Sequence, residues 1–262
     1  TIFAQLLQMA PLEGLDLSSL RYVTNAAAGL PPAHVRRLQE MFPAVKIFLM
    51  YGQTECTRTC YLDPSRVLET PDSVGKSIPN SEAYVVDEEG RRAAPGIVGE
   101  LVVRGANVMR GYWGMPEETA RSLRDGGIPG EKVLHTGDLF RMDSEGLLYF
   151  VGRRDDVFKC RGEKVSPAAI ESVLHELEDV IQADVMGIDD PTDGTAIRAA
   201  VVLRPGATLA EPDLRRHCRK RLEPYLVPRF IDICDALPRT ESGKLDRRAL
   251  ALGAKRRADG RP

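Results

Sequence analysis

The sequence predicts an α/β region that passes into a β-rich subdomain and ends in a separate, small α+β domain. Three observations carry that reading. An apolar run at residues 45–50 follows a helix-spaced apolar set and an earlier strand-like stretch, the texture of a βαβ unit. Between residues 74 and 151 short apolar stretches alternate with turn residues. Beyond a charged segment at 152–156, helix and strand signals resume with a periodicity of their own.

The chain opens at Thr1 with "TIFAQLLQMA", where Ile2, Leu6 and Met9 recur at helical spacing. Starting inside a helix and without Met, it is expected to be a fragment or a trimmed chain. Residues 20–24 read as a strand. Pro31-Pro32 then opens a helix, because proline's fixed φ suits a first turn, with Val35, Leu38 and Phe42 on one face. Residues 45–50 form the next strand, expected to stop before Tyr51-Gly52-Gln53-Thr54-Glu55. In the β-rich part, strands are expected at 83–86 and 100–104, with a hairpin at 140–151 turned by "DSEG". Gly152 to Asp156 reads as a linker.

Ser166-Pro167 starts a helix with Ile170, Val173, Leu174 and Leu177 at i, i+3, i+4 and i+7. Strands at 180–186 and 196–203, a helix at 211–222 and a strand at 229–233 complete the last domain. The expected boundaries are 1–153 (1–60 α/β, 61–153 β-rich), then 154–250. The tail at 251–262 has no apolar pattern and is expected to be mobile.

Composition narrows the function. Lys and Arg number 36 against 38 Asp and Glu, so a net charge of −2 gives no field that would draw nucleic acid or an acidic membrane. A hydrophobic content of 43% with 28% charged residues describes a soluble globular chain. No apolar run reaches the length of a membrane span, and no basic-then-apolar leader opens the sequence. The cysteines, at 56, 60, 160, 218 and 234, are odd in number and scattered, as in a reducing, cytoplasmic compartment. Cys56 and Cys60 form a CxxxC without a second ligand pair, so they read as free thiols on a helix or loop.

Three further segments carry chemistry. "HTGDLF" holds Asp138, "GRRDDVFKCRGEKVSP" holds Arg153 and Asp155, and "LPRTESGKLDRRAL" presents Lys244 after a glycine. Each alone reads as a turn residue or a solvated charge. Taken in order, "NAAAGLP" (25–31), "YGQTE" (51–55), "HTGD" (135–138), "GRRDDVFKCRGEKVSP" (152–167) and "PRTESGK" (238–244) resemble the adenylate-forming superfamily of acyl-CoA ligases, luciferases and peptide-synthetase adenylation domains. The resemblance covers about residues 2 to 250.

It implies a large N-terminal region, here incomplete, hinged to a small C-terminal domain. It also implies a two-step reaction: ATP and a carboxylic acid give an acyl-adenylate and pyrophosphate, and a thiol such as coenzyme A then displaces AMP. Carried onto this chain, Tyr51 would stack on adenine and Gly52 would let backbone pass close to the nucleotide. Ala26, Ala27 and Ala28 would line the adenine site, Thr54 would bind phosphate, and Glu55 would hold Mg²⁺, a hard cation that takes oxygen ligands. Asp138 would accept hydrogen bonds from the ribose hydroxyls, with Arg153 helping to hold the sugar. Lys244 would stabilise charge at the α-phosphate during adenylation. Asp155 would be the hinge, and Lys159 and Gly162 would meet coenzyme A once the domain rotates.

The branch is read from smaller details. Ser166-Pro167 before the helix, and glutamine rather than proline at position 53, are similar to acyl-CoA ligases, and an apolar or fatty acid is the expected substrate. The superfamily's Ser/Thr/Gly-rich phosphate loop is not found in the sequence; "RDGGIPGEK" (124–132) has glycines but no Ser/Thr cluster. Two alternatives therefore stay open: an enzyme that loads a carrier-protein thiol, and a non-catalytic AMP-binding or interaction module.

Overall fold

The computed structural model describes residues 2–7, 14–26, 29–190 and 194–238. The chain divides between Asp155 and Asp156 into two units, each taken by itself below.

In the first unit, helix α1 (Ile2–Leu6) precedes β1 (Tyr22–Asn25), α2 (Pro32–Met41) and β2 (Lys46–Gln53). Pro32 occupies the first turn of α2, and the apolar stripe expected there is the buried face, with Val35 and Leu38 closed off from solvent. These side chains pack on Ile47 and Leu49 of β2, which runs parallel to β1 with Val23 opposite Ile47. The βαβ reading holds.

The remaining strands are β3 (Cys56–Tyr61), β4 (Ser73–Ser77), β5 (Ser81–Val86), β6 (Val98–Gly105), β7 (Leu123–Asp125, after α3, Pro116–Ser122), β8 (Lys132–Met142) and β9 (Leu148–Arg153). They join β1 and β2 in one nine-stranded sheet, ordered β1-β2-β3-β4-β9-β8-β6-β5 with β7 on β8. Phe140, Leu101, Leu134 and Leu148 form a second core with the buried Cys56 and Cys60.

Three local expectations change. The strand placed at 45–50 runs on to Gln53, because Tyr51 and Gln53 pair with Cys60 and Cys56 across a hairpin turned by Thr54 and Glu55. Cys56 and Cys60 are therefore on a strand, not a helix or loop. Gly152 and Arg153, read as linker, extend β9, since they pair with Leu139 and Asp138 of β8. A run of charges hid that strand end, because its partner is also a charge.

The second unit begins with a hairpin of β10 (Phe158–Cys160) and β11 (Glu163–Val165). Its two turn residues, Arg161 and Gly162, both have positive φ (53° and 88°), the backbone of a tight type I′ turn. Helix α4 (Pro167–Leu174), β12 (Val180–Asp190), β13 (Gly194–Leu203), α5 (Glu211–Arg221) and β14 (Phe230–Ile233) follow. β12 pairs antiparallel and β14 parallel with β13. Ile170 and Leu174 of α4, Leu214 and Cys218 of α5, and Val185, Ile197 and Val201 of the sheet make one α+β core.

Candidate nucleotide-binding site

Both halves of the candidate site sit on strand irregularities. On β3, Thr57, Arg58 and Thr59 together oppose Gly52 of β2, because the register steps from Tyr51↔Cys60 to Gln53↔Cys56. Arg58 takes φ 53° in this bulge, and Thr59 closes it by donating its hydroxyl to Cys56 O at 2.8 Å. A Cβ on Gly52 would come within 2.6 Å of Arg58 N, so glycine is dictated here by the facing strand. On β8, Thr136, Gly137 and Asp138 oppose Leu101 of β6, between the pairs Val102↔His135 and Glu100↔Leu139. Gly137, with φ +71°, makes that second bulge possible.

The two bulges aim side chains at one another. Tyr51 and Gln53, two apart on β2, share a face and both reach the same oxygen of Asp138. The Tyr51 hydroxyl donates to Asp138 Oδ2 at 2.7 Å and the Gln53 amide does so at 2.8 Å, while Gln53 also donates to Thr136 O at 3.1 Å. Asp138 is only 4% exposed, and the half-exposed Arg153, its cross-strand partner, places Nε 3.6 Å from Oδ1. Burial first, and the Asp138 charge second, push the Tyr51 phenol far above its ordinary range, so it remains a donor. Its ring meets Phe140 edge-on, with centroids 4.8 Å apart.

Glu55 lies in the β2–β3 turn. Tyr112 donates its hydroxyl to Glu55 Oε1 at 2.8 Å, and Met109 N donates to Glu55 O at 2.8 Å, so the 108–112 segment runs along the turn. Oε2 of Glu55 accepts no hydrogen bond among the described residues. A carboxylate with one oxygen anchored and the other open has the hard oxygen donor that a Mg²⁺ ion takes. Among the described residues there is no group of three or more metal-ligating side chains, so a resident all-protein metal cage is not built here.

Other expected site residues fall as follows. Ala26 follows directly on β1 at the C-terminal edge, where Asn25 pairs with Leu49 of β2. Thr54 is exposed at the hairpin tip. Asp155 is exposed in the short 3₁₀ turn Arg154–Asp156, where the two units divide. In the second unit Lys159 is exposed on β10, and a Cβ added at Gly162 would meet no atom within 4 Å. Ala27, Ala28, Lys244 and the 251–262 tail lie outside the described residues.

Sequence reasoning passed over Gln53 as a partner of Asp138, and it missed Glu100, His135, Arg154 and Tyr112. Glu100 is buried in β6 and engages His135, Gly137 and Arg154. Burial alone would push its carboxyl up; the His135 hydrogen bond and the Arg154 charge outweigh that and hold it below the usual range. The available signal was a lone acidic residue inside the apolar run at 98–103.

Known proteins resemble this chain in sequence and in fold. The family model described as AMP-binding enzyme matches residues 1–113, and that of the AMP-binding enzyme C-terminal domain matches 169–244. The chain is 36% identical over 251 residues to a long-chain-fatty-acid–CoA ligase of Bacillus subtilis (strain 168), covering 95% of this chain and 44% of that protein. It is 31% identical over 256 residues to surfactin synthase subunit 1 of the same organism, covering 94% of this chain and 7% of that one. Among solved structures, the amide bond synthetase McbA from Marinactinospora thermotolerans superposes with a TM-score of 0.87 at 33% identity, over 96% of this chain and 50% of that one. The chain thus spans about half or less of the proteins it matches. With two family models in chain order and a shared fold, it belongs to the AMP-binding, adenylate-forming enzyme family.

Proposed function

We propose that this chain carries the ribose-binding, Mg²⁺-binding and catalytic-lysine parts of an AMP-forming acid–thiol ligase. The enzyme activates an apolar or fatty carboxylic acid as its acyl-adenylate and transfers it to coenzyme A. The observation that carries the reading is the convergence of Tyr51, Gln53 and Arg153 on the buried Asp138. Two donors hold one carboxylate oxygen and orient the group, Arg153 stands beside it, and in the proposed complex Asp138 and Arg153 meet the ribose hydroxyls. Tyr51 and Ala26 lie at the sheet edge assigned to adenine.

In the first step an oxygen of the acid attacks the α-phosphorus and the bond to pyrophosphate breaks. Lys244 stabilises the charge that accumulates on the phosphoryl oxygens, and Thr54 donates to phosphate. Glu55 would hold Mg²⁺, and the chemistry that ion would supply is neutralisation of phosphate charge, which would ease the departure of pyrophosphate. In the second step a thiolate attacks the acyl carbon and AMP leaves. Lys159 and Lys164 face one another across the β10–β11 hairpin, two like charges that suit an anionic partner such as coenzyme A. Asp155 is the proposed hinge between the steps.

The likeness to surfactin synthase subunit 1 and to an amide bond synthetase supports a second reading of the acceptor, a carrier-protein thiol or an amine. The first step is common to all three.

The test is acid-dependent exchange of labelled pyrophosphate into ATP by this chain, with a panel of carboxylic acids and Lys244→Ala alongside. Exchange that falls by roughly two to three orders of magnitude in the variant is the expected result. Equal exchange in both proteins would refute the role of Lys244. Thioester formation with coenzyme A, against a phosphopantetheinylated carrier or an amine, decides the acceptor.

A further inference from the structure

We propose that Glu100 is a positioning residue for the nucleotide's ribose, gripping the neighbours of both groups that would touch the sugar. The inference rests on the ribose assignment of Asp138 above. A carboxylate inside an apolar strand is costly unless its oxygens are well paired, and here both are. Glu100 Oε1 accepts from Gly137 N at 3.1 Å. Oε2 meets His135 Nδ1 at 2.9 Å and accepts from Arg154 Nη2 at 2.9 Å.

The placement of those partners gives the cluster its meaning. Gly137 immediately precedes Asp138, and Arg154 immediately follows Arg153, the cross-strand partner of Asp138. One buried side chain therefore holds the residue before the ribose carboxylate and the residue after the ribose arginine. The bulge needs such a grip. Thr136, Gly137 and Asp138 oppose the single residue Leu101, so the ordinary ladder is interrupted there. Two side chains replace it: Thr136 Oγ1 donates to Leu101 O at 2.8 Å and accepts from Asp138 N at 3.1 Å, and Glu100 takes Gly137 N. An apolar residue at 100 would leave the Gly137 N–H without its acceptor and let the bulge shift, carrying Asp138 with it.

The experiment compares binding of AMP and of 2′,3′-dideoxy-AMP to the full chain by calorimetry, for the parent, Glu100→Ala, Glu100→Gln and Arg154→Met. The parent should bind AMP the more tightly. Glu100→Ala should weaken AMP about ten-fold while leaving the dideoxy nucleotide unchanged, so the ratio of affinities closes. Glu100→Gln and Arg154→Met, which keep the side chain's shape or two of its partners, should close it partly. A purely structural role would weaken both nucleotides alike. An unchanged ratio in folded Glu100→Ala overturns the proposal; if that variant does not fold, an unchanged ratio in the other two does so. A parent that binds both nucleotides equally, or neither, overturns the ribose assignment itself and the positioning role with it.

Discussion

The hydrogen bond from Tyr51 to Asp138 can be weighed directly. At 2.7 Å, onto a carboxylate only 4% exposed, it is a charge-assisted bond in a place that water does not easily repair. Such bonds are worth about 1.5–3 kcal/mol net. Gln53 donates to the same oxygen at 2.8 Å and takes up part of the loss, which puts Tyr51→Phe near the middle, at about 2 kcal/mol. For a domain of this size that is a fall in Tm of about 4–8 °C. The ring and its edge-on contact with Phe140 are kept, so packing is not the cause. A double-mutant cycle with Asp138→Ala should return a coupling of about 1.5–2 kcal/mol. Urea unfolding followed by far-ultraviolet circular dichroism is the assay, since the lone tryptophan, Trp113, is fully exposed and would report little. Additivity of the two substitutions to within about 0.5 kcal/mol would refute the reasoning.

Two further outcomes are expected. Tyr112→Phe releases Glu55 Oε1 and should raise the Mg²⁺ concentration needed for half-maximal ATP binding about five-fold, from loss of about 1 kcal/mol in a partly exposed bond; an unchanged Mg²⁺ midpoint would count against the anchoring role. In the second unit, burial pulls His175 down to about 4, so it folds neutral while the unfolded chain gains a proton near its ordinary 6.5. Its contribution is whole above pH 6.5 and is lost as pH falls towards 4, and His175→Gln should flatten the urea midpoint across that window; an identical slope in both proteins would exclude His175 as its source.

Much of the scaffold was legible because its pattern is local. The stripe of Val35 and Leu38, the "DSEG" turn, and the alternation of helix and strand after Ser166 each follow from a few consecutive residues, and the structure keeps them. Motif order carried the family in the same way. What escaped was set by pairing at long range. Nothing near Gln53 says that its amide meets a carboxylate 85 positions away, and nothing near Arg153 says that a charged segment continues a strand. Bulges were invisible for the same reason: Gly52 reads as room for a nucleotide until the Arg58 backbone is seen closing on it. The Glu100 cluster could have been suspected from its isolation in an apolar run, but its partners come from within β8 and from the residue that follows β9.

The cysteines have a consequence for chemistry at the bench. Cys56, Cys60, Cys160 and Cys218 are buried, and Cys234 is half-buried. Burial pushes the Cys56 and Cys60 thiols up, and raises Cys218 to about 11, so at neutral pH these sulfurs carry almost no nucleophilic thiolate. An electrophile added to the native protein would therefore mark Cys234 first. The remaining sulfurs become reactive only as their own surroundings open: two in the first unit, two in the second. The chain carries, without any engineering, one accessible handle for a label and a separate pair of clocks for the opening of each unit.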